Sequence, residues 1–159
     1  MNKWDKAHMV AANVYAQLSS ARRAKVGCVI VKDNRIISIG YNGMPSGWDN
    51  NCEHENWPDW MEDNPNVFQD PAYVRLKTKS EVLHAETNAI AKVARSSESC
   101  EGATLYCTML PCLDCAKLTY QSGIVRIVYR DGYPKGNAGL EFLQKCGLKV
   151  EKWEKSNEE

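Results

Sequence analysis

The sequence predicts an α/β fold, a three-layer α/β/α sandwich around a mixed five-stranded sheet. The chain opens with an amphipathic helix, continues with a β-hairpin, and then alternates helices and strands from residue 84 to its carboxyl end. Alternation of this kind after a hairpin is typical of a sheet covered by helices on both faces. We expect one domain over residues 1–153, with an insertion at about 44–78 and a charged tail at 154–159.

The first two elements are indicated by their hydrophobic periods. Apolar residues recur every three or four positions over residues 4–22, which predicts an amphipathic helix. Two β-branched segments follow, 25–32 and 35–41, and Asp33-Asn34 between them predicts a hairpin turn. Residues 28–31 are continuously apolar, so the first strand should be covered on both faces.

The second half of the chain alternates regularly between the hydrophobic period of a helix and that of a strand. The predicted elements are a helix at 84–95, a strand at 104–108, a helix at 112–122, a strand at 124–129, a helix at 136–146 and a strand at 148–153. The segment 48–78 has no period and is polar, with several prolines and tryptophans. Such a long segment in a compact domain is usually functional, and we expect short helices, a lid or a subunit contact.

Composition excludes several classes of protein. The 159 residues carry 20 Lys and Arg against 20 Asp and Glu, and this balance argues against a nucleic-acid partner, which usually needs a basic face. No signal peptide and no membrane-spanning apolar segment is evident, so we predict no membrane partner. Seven cysteines without a secretion signal indicate a reducing cytoplasm.

The chemistry-bearing residues are His84-Ala85-Glu86 and Pro111-Cys112-Leu113-Asp114-Cys115. One histidine and two cysteines are ligands that Zn²⁺ prefers, and three protein ligands leave a fourth position open, as in catalytic sites. Glu86 supplies a carboxylate that need not touch the metal. The pattern H-x-E…P-C-x-x-C is the signature of zinc-dependent base deaminases.

Local geometry agrees with this pattern. Residues two apart on a helix do not share a face, so His84 and Glu86 converge only where a helix begins. A capping-box pattern, Thr78 to Glu81, places that beginning nearby. Pro111 suits the first position of a second helix, and the two cysteines, three apart, then point the same way. The positive dipole ends of both helices would favour the deprotonated, metal-binding form of the two cysteines.

A C-x-x-C pair by itself also occurs in redox sites and in structural zinc sites. A structural zinc would need a fourth ligand, and Cys107, in a predicted strand, is the nearest candidate. The catalytic interpretation is favoured because the proline, both cysteines, the histidine and the glutamate match one pattern. Zinc lowers the pKa of bound water toward about 7. Glu86 would take the proton of this water and deliver it to the ring nitrogen of the substrate, and it would then protonate the departing ammonia.

Three stretches resemble the deoxycytidylate deaminase family: residues 84–90, residues 111–117, and Gly40-Tyr41-Asn42-Gly43-Met44-Pro45. The resemblance runs from the first helix to the last strand. It implies hydrolytic deamination of dCMP to dUMP, the precursor of thymidylate, by an enzyme with one catalytic Zn²⁺ per chain.

The resemblance also implies substrate contacts. Asn42 would hold the sugar or base edge, the Ala85 backbone would meet the base carbonyl, and the Leu110 carbonyl would meet the leaving amine. The 5′-phosphate would be held by Ser19, Arg23 and Tyr133, and an arginine provides charge-assisted donors for it. Arg22 and Arg23 are equally compatible with a solvated helix end.

Regulation is a further implication of the resemblance. Members are typically homohexamers, activated by dCTP with Mg²⁺ and inhibited by dTTP. The effector-binding segment corresponds to Gly40, Tyr41, Asn42, Gly43, Pro45 and Gly47, and its glycines free backbone amides for phosphate oxygens. Several members carry a second, structural zinc in the insertion, for which Cys52 and His54 are candidates without obvious partners.

Three alternatives stay open at this point. A tRNA adenosine deaminase should have a basic RNA-facing surface and a shorter loop after the second strand. A nucleoside or free-base cytosine deaminase would not need side chains that bind a 5′-phosphate. A zinc-stapled binding module without catalysis would have no use for Glu86.

Overall fold

The computed structural model describes residues 1–64 and 70–154. Its elements in chain order are α1 (Lys3–Ala16), β1 (Gly27–Lys32), β2 (Arg35–Tyr41), β3 (Glu53–Asn56), α2 (Asp59–Glu62), a 3₁₀ turn (Pro71–Tyr73), β4 (Arg75–Thr78), α3 (Ala85–Ala94), β5 (Thr104–Met109), α4 (Leu113–Gln121), β6 (Arg126–Asp131), α5 (Ala138–Lys145) and β7 (Lys149–Lys152). None of the helices within these ranges is long and apolar enough to cross a bilayer.

Five strands form one mixed sheet in the order β2-β1-β5-β6-β7. Strand β1 runs antiparallel to β2 and to β5, whereas β5, β6 and β7 are parallel. Helix α1 packs on one face, and α3, α4 and α5 contribute buried residues to the other. The predicted α/β/α sandwich around a mixed five-stranded sheet is therefore confirmed.

Both sheet faces are buried because successive strand residues point in opposite directions. In β1, Cys28 and Ile30 belong to the core under α3, while Val29 and Val31 face α1. The same alternation holds in β5 and β6, where the residues on the α3 side are Leu105, Cys107 and Ile127 and those on the α1 side are Tyr106 and Val128. A continuous apolar run is what a doubly covered strand requires.

The hairpin forms as predicted, but α1 is shorter than expected. Asp33 and Asn34 adopt φ of 51° and 58°, the left-handed conformation that a two-residue hairpin turn requires. Helix α1 ends at Ala16 rather than near residue 22. The hydroxyls of Ser19 and Ser20 donate instead to the carbonyls of Asn42 and Asn50 at 2.7 Å each, so contacts with distant loops replace the last predicted helical turns.

The segment between β2 and α3 contains more regular structure than its sequence indicates. Strands β3 and β4 form a separate two-stranded antiparallel sheet, joined through α2 and the 3₁₀ turn. The strands escaped prediction because their side chains are mostly polar and exposed, with Glu53 the buried residue of β3. A lid or subunit contact in this segment stays a prediction. Of the charged tail at 154–159, residues 155–159 lie outside the described part of the chain.

Candidate active site

The three predicted metal ligands converge. The Nδ1 atom of His84 lies 3.6 Å from Sγ of Cys112 and 3.4 Å from Sγ of Cys115, and all three ligand atoms lie within 4.8 Å of one another. Zinc bonds of about 2.0–2.3 Å in a tetrahedral site put neighbouring ligand atoms roughly 3.5 Å apart. The cluster therefore fits one zinc ion with a fourth position left for another ligand.

This cluster is the one group of three potential metal ligands in residues 1–64 and 70–154. Cys52 is fully buried and lies 3.5 Å from the hydroxyl of Ser20, and His54 is exposed on β3. Neither belongs to a second group of ligands within those ranges. In the described part of the chain, Cys52 and His54 therefore lack the further ligands that a second zinc would need.

The ligands sit at the beginnings of two helices. His84 is the N-cap of α3 and Cys112 is the N-cap of α4, where its sulfur accepts a hydrogen bond from the backbone N–H of Cys115 at 3.5 Å. Helix α3 begins within a few residues of the Thr78–Glu81 pattern, as predicted, and the expected place of Pro111 was wrong. Thr78 ends β4 and does not cap α3, and Pro111 precedes the cap of α4 without occupying its first turn.

Helix N-termini favour negative charge, and the surroundings of Cys112 act in the same direction. Hydrogen bonds from the Cys115 thiol and from His84 lower the pKa of the Cys112 thiol to about 4. The site therefore favours a deprotonated sulfur at Cys112. The hydrogen bond to Cys112 and burial raise the pKa of the Cys115 thiol, which would lose its proton when a metal binds. Glu86, the second residue of α3, is only 4% exposed, and burial raises the pKa of its carboxyl above the usual range.

A cavity of about 360 Å³ opens over Glu86 and His84. Five of the residues predicted to contact substrate line it: Arg23, Asn42, Ala85, Leu110 and Tyr133. They come from the segment after α1, the end of β2, the start of α3 and the ends of β5 and β6. Ligand sites of α/β proteins commonly form at the carboxyl ends of parallel strands, and β5 and β6 follow that rule here.

Ser19 is the predicted contact that the cavity does not include. It is 2% exposed, its hydroxyl donates to the carbonyl of Asn42, and the same oxygen accepts from the backbone N–H of Ala21 at 3.2 Å. The hydroxyl is thus engaged in holding the chain between α1 and β1. Its position corrects the expectation that Ser19 meets the phosphate directly.

The side chain of Asn42 is held from both ends. Its Oδ1 accepts from the backbone N–H of Val26 and its Nδ2 donates to the carbonyl of Ala24, both at 2.8 Å. The second Nδ2 hydrogen is left for another acceptor. These bonds fix the amide at the cavity wall, so its orientation is set before any ligand arrives.

Sequence reasoning missed several cavity residues. Glu53, Lys77 and Thr78 come from the β3–β4 hairpin, and Lys135 follows β6. Arg23 donates from Nη1 to the Thr78 hydroxyl at 3.0 Å, which ties the hairpin to the segment after α1. Residues 48–78 have no period that would have assigned these side chains to a pocket.

The Gly-rich loop after β2 lines a second cavity of about 480 Å³. Of the predicted effector residues, Tyr41, Asn42, Gly43, Pro45 and Gly47 line it. Gly40 does not, because it lies in β2 with its Cα against the first turns of α3. Asn42 lines both cavities, and the Asn88 side chain of α3 donates to the Tyr41 carbonyl at 2.8 Å.

Comparison with known proteins agrees with this geometry. Residues 2–131 match the model of the cytidine and deoxycytidylate deaminase zinc-binding region. The chain belongs to the cytidine and deoxycytidylate deaminase family, as its motifs predicted.

Within that family, several similar proteins are deoxycytidylate deaminases. The one from Enterobacteria phage T4 is 37% identical over 87% of this chain and 84% of its own length. The one from Saccharomyces cerevisiae is 33% identical over 92% of this chain, which spans 44% of that longer protein. The crystal structure of dCMP deaminase from cyanophage S-TIM5 with dCMP and dUMP has a TM-score of 0.79 at 36% identity, covering 96% of this chain and 99% of that one.

Proposed function

We propose that this chain catalyses the hydrolytic deamination of dCMP to dUMP, supplying dUMP for thymidylate synthesis. One observation carries the proposal: His84 of the three-ligand cluster and the buried Glu86 line one cavity with Arg23, so a site for the base and a cation for a phosphate face the same space. The similar deaminases, including one with dCMP and dUMP bound, support the same substrate.

Zinc would be held by His84, Cys112 and Cys115, whose spacing and low Cys112 pKa suit it. When bound, the ion acts as a Lewis acid that makes water a competent nucleophile at neutral pH. Glu86, buried beside the cluster, would take one proton from that water and deliver it to the ring nitrogen as the hydroxide adds to the amine-bearing carbon. It would then take the remaining proton of the added hydroxyl and pass it to the amine, which leaves as ammonia. One carboxylate thus performs both transfers in turn.

The walls of the cavity orient the base. As the first residue of α3, Ala85 has a backbone N–H without a partner inside the helix, which suits it to donate to the base carbonyl. The Leu110 carbonyl accepts from the leaving amine, and the free hydrogen of the fixed Asn42 amide meets the sugar or base edge. These contacts present the amine-bearing carbon to the nucleophile.

Three cationic side chains in the cavity are available to a phosphate. Arg23, Lys77 and Lys135 line the cavity, and within residues 1–64 and 70–154 none of the three is in an ion pair. Tyr133 adds a hydroxyl, and burial raises the pKa of that group so that it remains a donor. These three cations outnumber the carboxyl groups of Glu53 and Glu86 that line the same cavity, and a surplus of cations favours a nucleoside monophosphate over a nucleoside.

The deciding experiment measures ammonia release from dCMP, CMP, deoxycytidine and cytosine side by side, using zinc-loaded protein. We expect dCMP to be the best substrate by roughly ten- to a hundredfold over deoxycytidine, the effect of a charge-assisted phosphate contact. Equal efficiency on deoxycytidine would reject the phosphate assignment. Activity on none of the four would reject deamination of cytosine compounds.

Regulation by dCTP with Mg²⁺ and by dTTP is part of the proposal. It is supported by the second cavity, whose loop shares Asn42 with the substrate cavity and is tied to α3 through Asn88. Two ligand sites that share a wall are a physical route for coupling. Saturation by dCMP should shift left with dCTP and Mg²⁺ and right with dTTP. A hyperbolic curve that neither nucleotide moves would reject regulation.

We also propose a homohexamer located in the cytoplasm. Trp48 and Trp60, in the segment between β2 and α3, are 57% and 51% exposed, and large exposed aromatic side chains are common at subunit contacts. All seven cysteines are free, as expected in a reducing compartment. The mass of the particle in solution tests the assembly, and a monomer would reject it.

A further inference from the structure

Glu53 is a buried carboxylate in the wall of the substrate cavity. It is the first residue of β3, 1% exposed, and lines the same cavity as Glu86. Its Oε1 accepts from the backbone N–H groups of Arg22 at 2.9 Å and Arg23 at 3.2 Å. Its Oε2 has no hydrogen-bond partner among the described residues.

Among the described residues, one side-chain cation lies near this carboxylate, and it forms no hydrogen bond with Oε2. The nearest cation is Arg22, whose Nε lies 3.7 Å from Oε2, beyond hydrogen-bond distance. The guanidinium of Arg22 is turned toward Glu55, with Nη1 at 2.7 Å from that carboxylate. A buried acceptor without a donor is costly, and the cost is greater when the group is charged. Glu53 is therefore well placed to accept from a ligand.

The position of Glu53 in the cavity identifies that ligand group, given the proposed function. His84 and Glu86 define where the base reacts, and Arg23, whose backbone Glu53 holds, faces the phosphate. Between base and phosphate lies the deoxyribose, whose single hydroxyl is at C3′. A phosphate presents acceptors at neutral pH, so the 3′-hydroxyl is the one donor that this half of dCMP offers.

We infer that Glu53 accepts a hydrogen bond from the 3′-hydroxyl of the nucleotide and so makes that hydroxyl a condition for efficient turnover. A site built to pair with a hydroxyl rejects analogues that lack it, because the buried protein group is then left unpaired. The β3–β4 hairpin thereby selects the sugar, while the zinc cluster acts on the base.

A purely structural role for Glu53 leads to a different expectation. Its two bonds from Arg22 and Arg23 also hold the turn before β1, and removing them would disturb the cavity for every substrate. That role predicts that Glu53 variants lose catalytic efficiency equally for substrates with and without a 3′-hydroxyl. The ratio of efficiencies for two substrates that differ at C3′ separates the two roles.

The first measurement uses the unmodified, zinc-loaded protein. We expect kcat/KM for 2′,3′-dideoxy-CMP to be roughly ten- to a hundredfold below that for dCMP. The 3′-fluoro analogue should be as poor as the dideoxy one, because fluorine fills the space of the hydroxyl but donates nothing. Equal efficiency for dCMP and either analogue would overturn the inference without any variant.

The second measurement uses Glu53→Ala and Glu53→Gln. In the alanine variant, the ratio of kcat/KM for dCMP to kcat/KM for dideoxy-CMP should fall near one. The glutamine variant keeps an acceptor for the two backbone N–H groups, and its ratio should fall to a few-fold. Glu55→Gln is the matched control, since it removes the other carboxylate on Arg22 outside the cavity, and it should keep the original ratio. An unchanged ratio in Glu53→Gln would overturn the inference.

Failure of this inference and failure of the proposed function give different results. A protein that deaminates dCMP and dideoxy-CMP equally retains the proposed function and loses the role of Glu53. A protein that releases no ammonia from dCMP loses the proposed function. In that case, equilibrium binding of dUMP and 2′,3′-dideoxy-UMP tests the contact between Glu53 and the 3′-hydroxyl. Binding of dideoxy-UMP that is at least tenfold weaker would support the contact, and equal binding would overturn it.

Discussion

The carboxylate of Asp5 and the guanidinium of Arg126 lie 2.7 Å apart, at the end of the sheet opposite the zinc cluster. Asp5 is 2% exposed in the first turn of α1, and Arg126 begins β6. Tyr106 donates its hydroxyl to the same carboxylate at 2.7 Å, and Arg126 also pairs with Glu151 of β7. One buried carboxylate therefore joins α1 to β5 and β6, and Arg126 extends this network to β7.

Replacing Asp5 should destabilise the fold without removing a cavity residue. Asp5→Asn leaves Arg126 with one carboxylate partner and weakens the capping box with Asn2. We expect the free energy of unfolding at pH 7 to fall by about 3 kcal/mol, the lower part of the range for breaking a buried ion pair. Urea unfolding measures it, and the exposed pair Asp131 with Arg130 provides the control, since Asp131→Asn should change stability by less than about 1 kcal/mol.

The contribution of Asp5 should also depend on pH. The hydrogen bond from Arg126 holds the pKa of the Asp5 carboxyl well below its usual value. A carboxyl with a depressed pKa in the folded state stabilises the protein above its unfolded pKa of about 3.9 and loses that effect as pH falls toward the folded value. The difference in stability between wild type and Asp5→Asn should therefore be constant from pH 7 to about 5 and shrink below about 4. A difference independent of pH would contradict this.

Glu86→Gln should separate metal binding from turnover. The amide is close in shape to the carboxylate but cannot take a proton from water, so we expect kcat on dCMP to fall by at least about a hundredfold. Because Glu86 is not a ligand in the cluster, zinc content should remain one ion per chain. Metal analysis and steady-state kinetics on one preparation test both parts, and a fully active variant would remove Glu86 from the mechanism.

Loss of zinc should lower stability as well as activity. His84→Ala removes one of the three clustered ligands, and binding free energy for a metal is also folding free energy. We expect a lower melting temperature for His84→Ala, and a chelator should lower that of the wild type but leave the variant unchanged. His54→Ala is the control, since its exposed ring lies outside any ligand group among the described residues and zinc content should stay at one.

The close approach of β2 to α3 should make Gly40 intolerant of a side chain. A Cβ at Gly40 would lie 2.8 Å from the backbone nitrogen of Ala89, in the helix whose first turn carries Glu86. We expect Gly40→Ala to cost roughly 1–3 kcal/mol through overpacking and to weaken zinc retention by displacing α3. Gly132→Ala, where a Cβ meets nothing within 4 Å, should change stability by less than about 0.5 kcal/mol.

Arg23 and Ser19 should respond differently to removal. Arg23→Ala should reduce kcat/KM for dCMP by roughly ten- to a hundredfold and leave deoxycytidine nearly unchanged, because the guanidinium faces the phosphate. Ser19→Ala should affect both substrates alike, since its hydroxyl supports the Asn42 carbonyl away from the cavity. If Arg23→Ala lowered kcat/KM equally for dCMP and deoxycytidine, the assignment of Arg23 to the phosphate would be contradicted.

The sequence alone determined the class of fold, the metal ligands and the family. Hydrophobic periods are local, so β1, β2, α3, β5, α4 and β6 were predictable within a few residues. The ligands were predictable because His84, Glu86, Cys112 and Cys115 lie in two short stretches whose spacing reflects the geometry of a helix N-terminus.

Only the tertiary structure decided which residues meet in the cavity. Glu53 and Lys77 come from strands whose polar side chains carry no period, and Glu53 is buried only because it accepts backbone hydrogen bonds from residues 30 positions earlier. The early end of α1 has the same cause, since Ser19 and Ser20 bond to loops more than 20 residues away. Local sequence patterns report the neighbours along the chain, whereas these contacts depend on how the sheet brings separate segments together.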